Sequence, residues 1–321
     1  MRFPAALAVL VLLAIRALAA PAHPEALVIV LGDQHSAYER TAQVVGLVDQ
    51  LKAAHPDLPL AVILDGDTQE YGNVIARRSG GAIDFAMYAA LAQRAPTIVN
   101  LGNHEPEFYA LAETVQRIEA TGARVISNIT NRETGGPFAP AALPLPLGAV
   151  AATVVGVTTD NLATYRVAIR PSLDLAQPVV WARANFPRLL ANAPLPIVVS
   201  HAGIAADREL LALVPDGTLF AGAHDHQRFV VPFGRTKKGF TSRTVSAAAW
   251  SPTWFSNSRR VQNASPNSAK LSSSCWSNVS IAELRVCSGR RSWYCALSQR
   301  FLVPGVSWPA VAGVTPPEGM A

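Results

Sequence analysis

Residues 26–35 read ALVIVLGDQH. Six apolar residues in a row match the length of one strand and leave no polar face, as expected for a strand covered on both sides. A glycine and two potential metal ligands, Asp33 and His35, come immediately after. The arrangement recurs along the chain. Leu60–Leu64 (LAVIL) runs into Asp65-Gly66-Asp67, and Thr97–Leu101 into Gly102-Asn103-His104-Glu105. Pro196–Ser200 (PIVVS) runs into His201-Ala202-Gly203, and Leu219–Ala221 into Gly222-Ala223-His224-Asp225-His226. Between these strands lie stretches with helical spacing: Ala37–Ala54 (Val44, Leu47, Val48, Leu51), Ile83–Gln93, Phe108–Ala120, Val179–Leu190 and Asp207–Leu213. Arg124–Ile129, Val150–Val157 and Phe229–Val231 read as further strands, and the Pro-rich stretch Gly135–Leu147 as a loop or lid. Short buried strands alternating with amphipathic helices specify an α/β domain.

In such sheets the carboxyl ends of the strands converge on one crevice, where ligands bind. Five of the seven His (His35, His104, His201, His224, His226) are thereby expected at one end of one sheet. Each block alone has a bland reading: Asp65-Gly66 is a common turn, and an Asp after a strand is often a helix cap. Five blocks in succession, each at a strand end, point instead to a shared site. Carboxylates and imidazoles with one Asn suit Zn, Mn or Fe ions. The set Asp33, His35, Asp67, Asn103, His201, His224 and His226 is too large for one tetrahedral ion and fits two. Two ions about 3.5–4 Å apart can clamp an oxyanion and generate a hydroxide near neutral pH. Asp67, in the middle of the set, is the natural bridging carboxylate, and the spare imidazole of His104 would face the substrate.

Composition separates this body from the last quarter of the chain. The 321-residue chain has a net charge of +5. Residues 1–234 hold 16 Lys/Arg and 20 Asp/Glu; residues 235–321 hold 11 Lys/Arg and only Glu283 and Glu318. The later part also carries all three Cys (Cys275, Cys287, Cys295), five of six Trp and 16 of 21 Ser, but no His or Asp. Basicity confined to one end argues against a nucleic-acid-binding stripe across the fold. Three Cys without metal-type spacing define no site.

At the N-terminus, Arg2, the apolar run Phe3–Ile15 and two small-residue sites, Ala17-Leu18-Ala19 and Ala20-Pro21-Ala22, read as a secretory signal over residues 1–22. The mature protein is then expected to be exported to the periplasm without a membrane span. Residues 23–234 form the expected catalytic domain, and 235–321 a basic Ser/Trp-rich tail.

The strand-end blocks, D-x-H, G-D, G-N-H-E, H and G-x-H-x-H, resemble those of the calcineurin-like metallophosphoesterase superfamily over about residues 26–231. The likeness is greatest to the catalytic domain of the 5′-nucleotidase and cyclic-phosphodiesterase branch, through RVISNI (124–129), VGVTT (155–159) and VVSHAG (198–203). The resemblance implies a four-layer α/β/β/α sandwich. It implies one ion held by Asp33, His35, Asp67 and His226, and another by Asp67, Asn103, His201 and His224. A metal-bridging hydroxide would attack phosphorus in a small phosphate mono- or diester, a nucleotide among the candidates. His104 would stabilise charge or protonate the leaving oxygen, oriented by Glu107, where this branch usually carries Asp. Other departures are Gly32 in place of a common Asn and Ala223 in place of a common Gly. Nothing matches the base-stacking C-terminal domain of the nucleotidases, so nucleotide specificity does not carry over. The alternatives are hydrolysis of another oxyanion ester, such as a sulfur oxyanion, and an inactive metal- or phosphate-binding relative. Arg77 and Arg78 read as exposed helix-flanking charges rather than phosphate ligands. The resemblance implies further strands after residue 226, yet residues beyond about 237 show no sustained period. A basic partner-binding tail, a divergent small domain, disorder and a shifted reading frame are the alternatives there, with the frame shift preferred.

Overall fold

The computed structural model describes residues 24–148 and 150–226, and the backbone of four further strands at 233–236, 239–242, 278–286 and 293–301. The expected signal segment and the expected strand Phe229–Val231 lie outside the described residues.

The first sheet is built on β1 (Pro24–Leu31), β2 (Leu60–Asp65), β3 (Thr97–Asn100) and β4 (Arg124–Ile126), all parallel neighbours in that order. The crossovers carry α1 (Tyr38–Ala54), α2 (Val74–Ser79) with α3 (Ala82–Ala92), and α4 (Leu111–Glu119). A short two-stranded sheet pairs β5 (Thr130–Asn131) with β8 (Leu173–Asp174). The second large sheet holds β6 (Ala142–Leu147), β7 (Val150–Thr158), β9 (Leu195–His201) and β10 (Leu219–Gly222), with α5 (Pro178–Leu190) and α6 (Ile204–Leu210) in its connections. Strands β11 (Phe233–Thr236) and β12 (Gly239–Ser242) extend that sheet beyond β10; β13 (Asn278–Val286) and β14 (Trp293–Phe301) extend the first sheet beyond β1. These last two are nine-residue strands in a stretch whose sequence shows no sustained period.

The continuous apolar character of β1 follows from the layering. Ala26, Val28 and Val30 face one way, into a core shared with Ile63, Ile98, Val154, Ile197 and Val199, which glues the sheets face to face. Leu27, Ile29 and Leu31 face the other way, against Val44, Val48, Tyr88, Leu91 and Val115 of the helices. A third core packs Val155, Val157, Val198 and Phe220 against Ala182, Phe186 and Leu190 of α5. Every central strand therefore buries both faces, and the result is a four-layer α/β/β/α sandwich.

The structure corrects two expectations. Residues 142–147 within the Pro-rich stretch are an edge strand, not a loop or lid: they pair antiparallel with β7, Leu143, Leu145 and Leu147 buried and Pro144 and Pro146 exposed between them. At an edge a proline's missing N–H interrupts no ladder, so the period of 2 survives the prolines. Second, the polar blocks do not sit at the end of one sheet. β1, β2 and β3 belong to one sheet and β9 and β10 to the other, so the crevice lies where the carboxyl ends of two sheets meet. Among the described residues no helix is long and apolar enough to cross a membrane.

Candidate metal centre

The turns after β1 and β2 are zipped together by their backbones: Asp33 N–H donates to the Gly66 carbonyl (3.1 Å), His35 to Asp67 (2.9 Å) and Ser36 to Thr68 (2.8 Å). This pairing presents Asp33, His35 and Asp67 to one point, and it requires unusual backbone. Among the described residues, six non-glycine residues have positive φ: Asp33 (52°), His35 (45°), Ser36 (51°), Asp67 (52°), His224 (89°) and His226 (49°). Five of the six are expected metal ligands. Left-handed backbone costs an L-residue about 1–2 kcal/mol, so conformational strain is gathered at this crevice. Gly102 is required for another reason: a Cβ there would lie 2.3 Å from Asp67 Oδ1.

Six of the seven expected ligands fall into two groups that share Asp67. Asp33, His35, Asp67 and His226 offer ligand atoms within 4.8 Å of one another, and so do Asp67, His201 and His224. His35 Nε2 lies 2.8 Å from His226 Nε2, and His201 Nε2 lies 2.9 Å from Asp67 Oδ2. These are contacts between groups that would rather face a cation. His201 is oriented by its Nδ1, which donates to the Asp65 carbonyl at 2.7 Å and leaves Nε2 directed at Asp67. Asn103 Oδ1 and His224 Nδ1 are buried without a hydrogen-bond partner. Orphaned acceptors on Asn and His beside clustered carboxylates are the donor set of a borderline metal ion, and the residues present fit one.

The buried groups perturb one another. Burial disfavours charge on His201, yet the Asp67, Asp33 and Asp65 carboxylates hold its pKa well above 6.5. Burial works against the Asp67 carboxylate as well, but His201 and His104 hold its pKa well below 3.8. Burial, helped by the charge of His201, takes His224 down to about 4; burial and His35 lower His226.

His104 sits beside the cluster with Nε2 toward Asp67 Oδ2 (3.9 Å) and Nδ1 toward Glu107 Oε1 (3.0 Å). Burial opposes its protonation, but Asp67, Glu107 and Glu70 raise its pKa to about 10. The backbone N–H of His104 donates to Asp67 Oδ1 at 2.8 Å.

Several participants are not evident from the sequence. Glu70 Oε2 lies 3.2 Å from His35 Nδ1 and 3.6 Å from His104 Nδ1, so one carboxylate orients two imidazoles. Glu105, fully buried, accepts backbone N–H bonds from Asp67 (2.9 Å), Thr68 (2.8 Å) and Gly102 (2.7 Å), tying the turn after β2 to the turn after β3. Asp65, raised to about 7 by burial against the opposing charge of His201, takes a bond from Asn100 Nδ2 at 2.9 Å. Asn100 Nδ2 also donates to the Val157 carbonyl (3.1 Å), joining the two sheets just beneath the site. Spacing offers one signal for Glu70: it lies three residues beyond Asp67, within reach of the same turn.

No family model matches this sequence, and no curated protein is significantly similar to it. Solved structures are. The Thermus thermophilus sulfate thiohydrolase SoxB superposes with a TM-score of 0.63 at 14% identity, covering 88% of this chain and 57% of that one. A 5′-nucleotidase precursor from Thermus thermophilus gives 0.60 at 15% identity, with 87% and 54% covered. The NAD nucleotidase NadN of Haemophilus influenzae gives 0.58 at 12%, with 86% and 55% covered. The chain thus spans little more than half the length of each of these proteins. Its architecture is the calcineurin-like metallophosphoesterase fold that the strand-end motifs resemble.

Proposed function

We propose that this chain is a metal-dependent hydrolase of the metallophosphoesterase superfamily acting on small phosphate mono- or diesters. The observation that carries the proposal is the convergence of Asp33, His35, Asp67, His201, His224 and His226, from four turns of two sheets, with the unpartnered Asn103 Oδ1 in a fifth turn. Asp33, His35, Asp67 and His226 would hold one divalent ion, and Asp67, Asn103, His201 and His224 a second, Asp67 being common to both groups. Bound there, two such ions supply Lewis acidity to a phosphoryl oxygen and about +4 of local charge to a body that is otherwise net acidic. The protein's own part falls to His104. Three carboxylates favour its protonated form, and Glu107 and Glu70 at Nδ1 leave Nε2 to face the reacting group. It would stabilise developing charge or give its proton to the leaving oxygen. Strained backbone at the ligands and the Glu105 clamp hold these groups in position before substrate arrives.

Hydrolysis of a sulfur oxyanion ester is the second reading, favoured by the similarity to the sulfate thiohydrolase. The test is an assay of metal-reconstituted protein with nitrophenyl phosphate, bis-nitrophenyl phosphate and nitrophenyl sulfate, with metal content measured in parallel. Turnover of either phosphate is expected; none in a folded protein containing two metal ions rejects the phosphoesterase reading. Asp67→Ala is expected to lose metal and activity, His104→Ala activity alone. Equal metal loss in both would show that His104 is a ligand. Export through residues 1–22 is part of the same proposal, checked by the intact mass of protein recovered from the periplasm.

A further inference from the structure

The two guanidinium groups beside Glu107 and Tyr71 have no part in the chemistry assigned to His104. Arg166, on the segment between β7 and α5, lies with its guanidinium carbon 4.2 Å from the centre of the Tyr71 ring; Arg77, on α2, lies 5.5 Å from the same ring. Tyr71 itself is fixed by its backbone N–H, which donates to Glu107 Oε2, and Arg166 Nη1 donates to the Glu107 carbonyl. Among the described residues neither arginine has a carboxylate within 4.0 Å, whereas Arg94 pairs with Asp49 and Arg117 with Glu113. Two cations thus share one aromatic ring at the protein surface without an anionic partner. A guanidinium stacked on an aromatic ring keeps most of its in-plane N–H donors free, in a fork that fits an oxyanion. Stacking on Tyr71 and the bond to Glu107 preorganise Arg166, so less freedom is lost when an anion binds.

Their position specifies the role. Glu107 Oε1 touches His104 Nδ1, while its Oε2 and its carbonyl accept from Tyr71 and Arg166, so the arginine pair adjoins His104 through Glu107. If His104 serves the leaving oxygen, as the proposed function has it, the leaving group lies on this side. We propose that Arg166 and Arg77, gathered on Tyr71, form a leaving-group subsite for a second phosphate, so that the preferred substrates are esters carrying another phosphate beyond the one cleaved. This inference rests on the phosphoesterase reading for its orientation, but its test does not require turnover.

The metal-loaded full chain is titrated calorimetrically with propylphosphonate and with propane-1,3-diphosphonate, which differ by the second anionic group. The wild type is expected to bind the diphosphonate about tenfold or more tightly than the monophosphonate, the worth of a charge-assisted contact. In the double variant Arg77→Ala/Arg166→Ala the ratio is expected to fall to near one. Arg166→Lys, which keeps the charge and loses the planar fork, should fall between. A wild-type ratio near one, or a ratio that survives the double substitution, overturns the subsite. The expected binding pattern without ester hydrolysis would overturn the phosphoesterase reading alone.

Discussion

Glu105→Gln is the most informative single substitution, because it changes one oxygen in a residue that touches no substrate. The carboxylate is fully buried and receives only donors: the N–H groups of Asp67 and Gly102 at Oε2 and of Thr68 at Oε1. Hydrogen bonds to a charged acceptor contribute about 1.5–3 kcal/mol each, and a buried N–H left unpaired costs about 1–3 kcal/mol. Glutamine offers one carbonyl oxygen, which can keep the Asp67 and Gly102 bonds in weaker, neutral form. Its amide then meets the Thr68 N–H donor to donor. One relief acts the other way: burial, with the Asp67 charge adding to it, raises the pKa of Glu105, so removing its charge recovers some desolvation energy. The balance is a loss of about 3 kcal/mol. For a domain of about 200 residues that is a drop in melting midpoint of about 6–12 °C. Circular-dichroism melts of metal-free protein read this directly, and a metal titration should show weaker binding, because the turns that carry Asp67 and Asn103 lose the tie between Asp67 and Gly102. A midpoint within about 2 °C of wild type, with metal affinity retained, would refute the clamp.

Other consequences are equally open to measurement. Asp84 is pushed up to about 7 by burial, against the opposing bonds donated by Tyr38 OH (2.9 Å) and Ser36 Oγ (3.1 Å). Between the ordinary carboxylate pKa and about 7 the folded protein therefore holds a proton that the unfolded chain does not, and stability falls as pH rises through that window. Asp84→Asn should remove this contribution, about 1.4 kcal/mol per pH unit, so that the variant gains on the wild type from pH 4 to pH 7; parallel stability profiles would refute the assignment. Gly102→Ala forces a carbon to 2.3 Å from Asp67 Oδ1 and should abolish metal binding. Gly46→Ala, in α1 with nothing within 4 Å of the new carbon, should instead stabilise by about 0.5–1 kcal/mol in a denaturant titration. Glu70→Gln should lower metal affinity about tenfold or more by loosening His35; unchanged affinity in a metal titration would remove Glu70 from the site. If the composition break near residue 235 marks a shifted frame, another frame of the encoding DNA should continue the sheet pattern with Asp and His restored. Two uninformative frames would sink that idea.

Much of the molecule is written locally. Strands such as ALVIVL and LAVIL announce themselves because both of their faces are buried, and each expected ligand could be named because it stands just after such a strand. What the sequence by itself determined is therefore the buried central strands, the α/β class and the Asp and His groups that follow those strands. Neighbouring residues carry that information through period and turn chemistry. Which strands share a sheet is not a local property: β1 to β3 and β9 to β10 look alike as segments, and only packing assigned them to opposite sheets. Edge strand β6 was hidden by prolines that its exposed position makes harmless. Glu105 reads as an ordinary acid near a helix start, and becomes a clamp only because the turn after β2 lies against it. Tyr71 and Arg166, 95 positions apart, meet only when the loops of the two sheets are brought together. Close-packed layers decide which distant loops share the crevice, and that pairing is what the tertiary structure alone could supply.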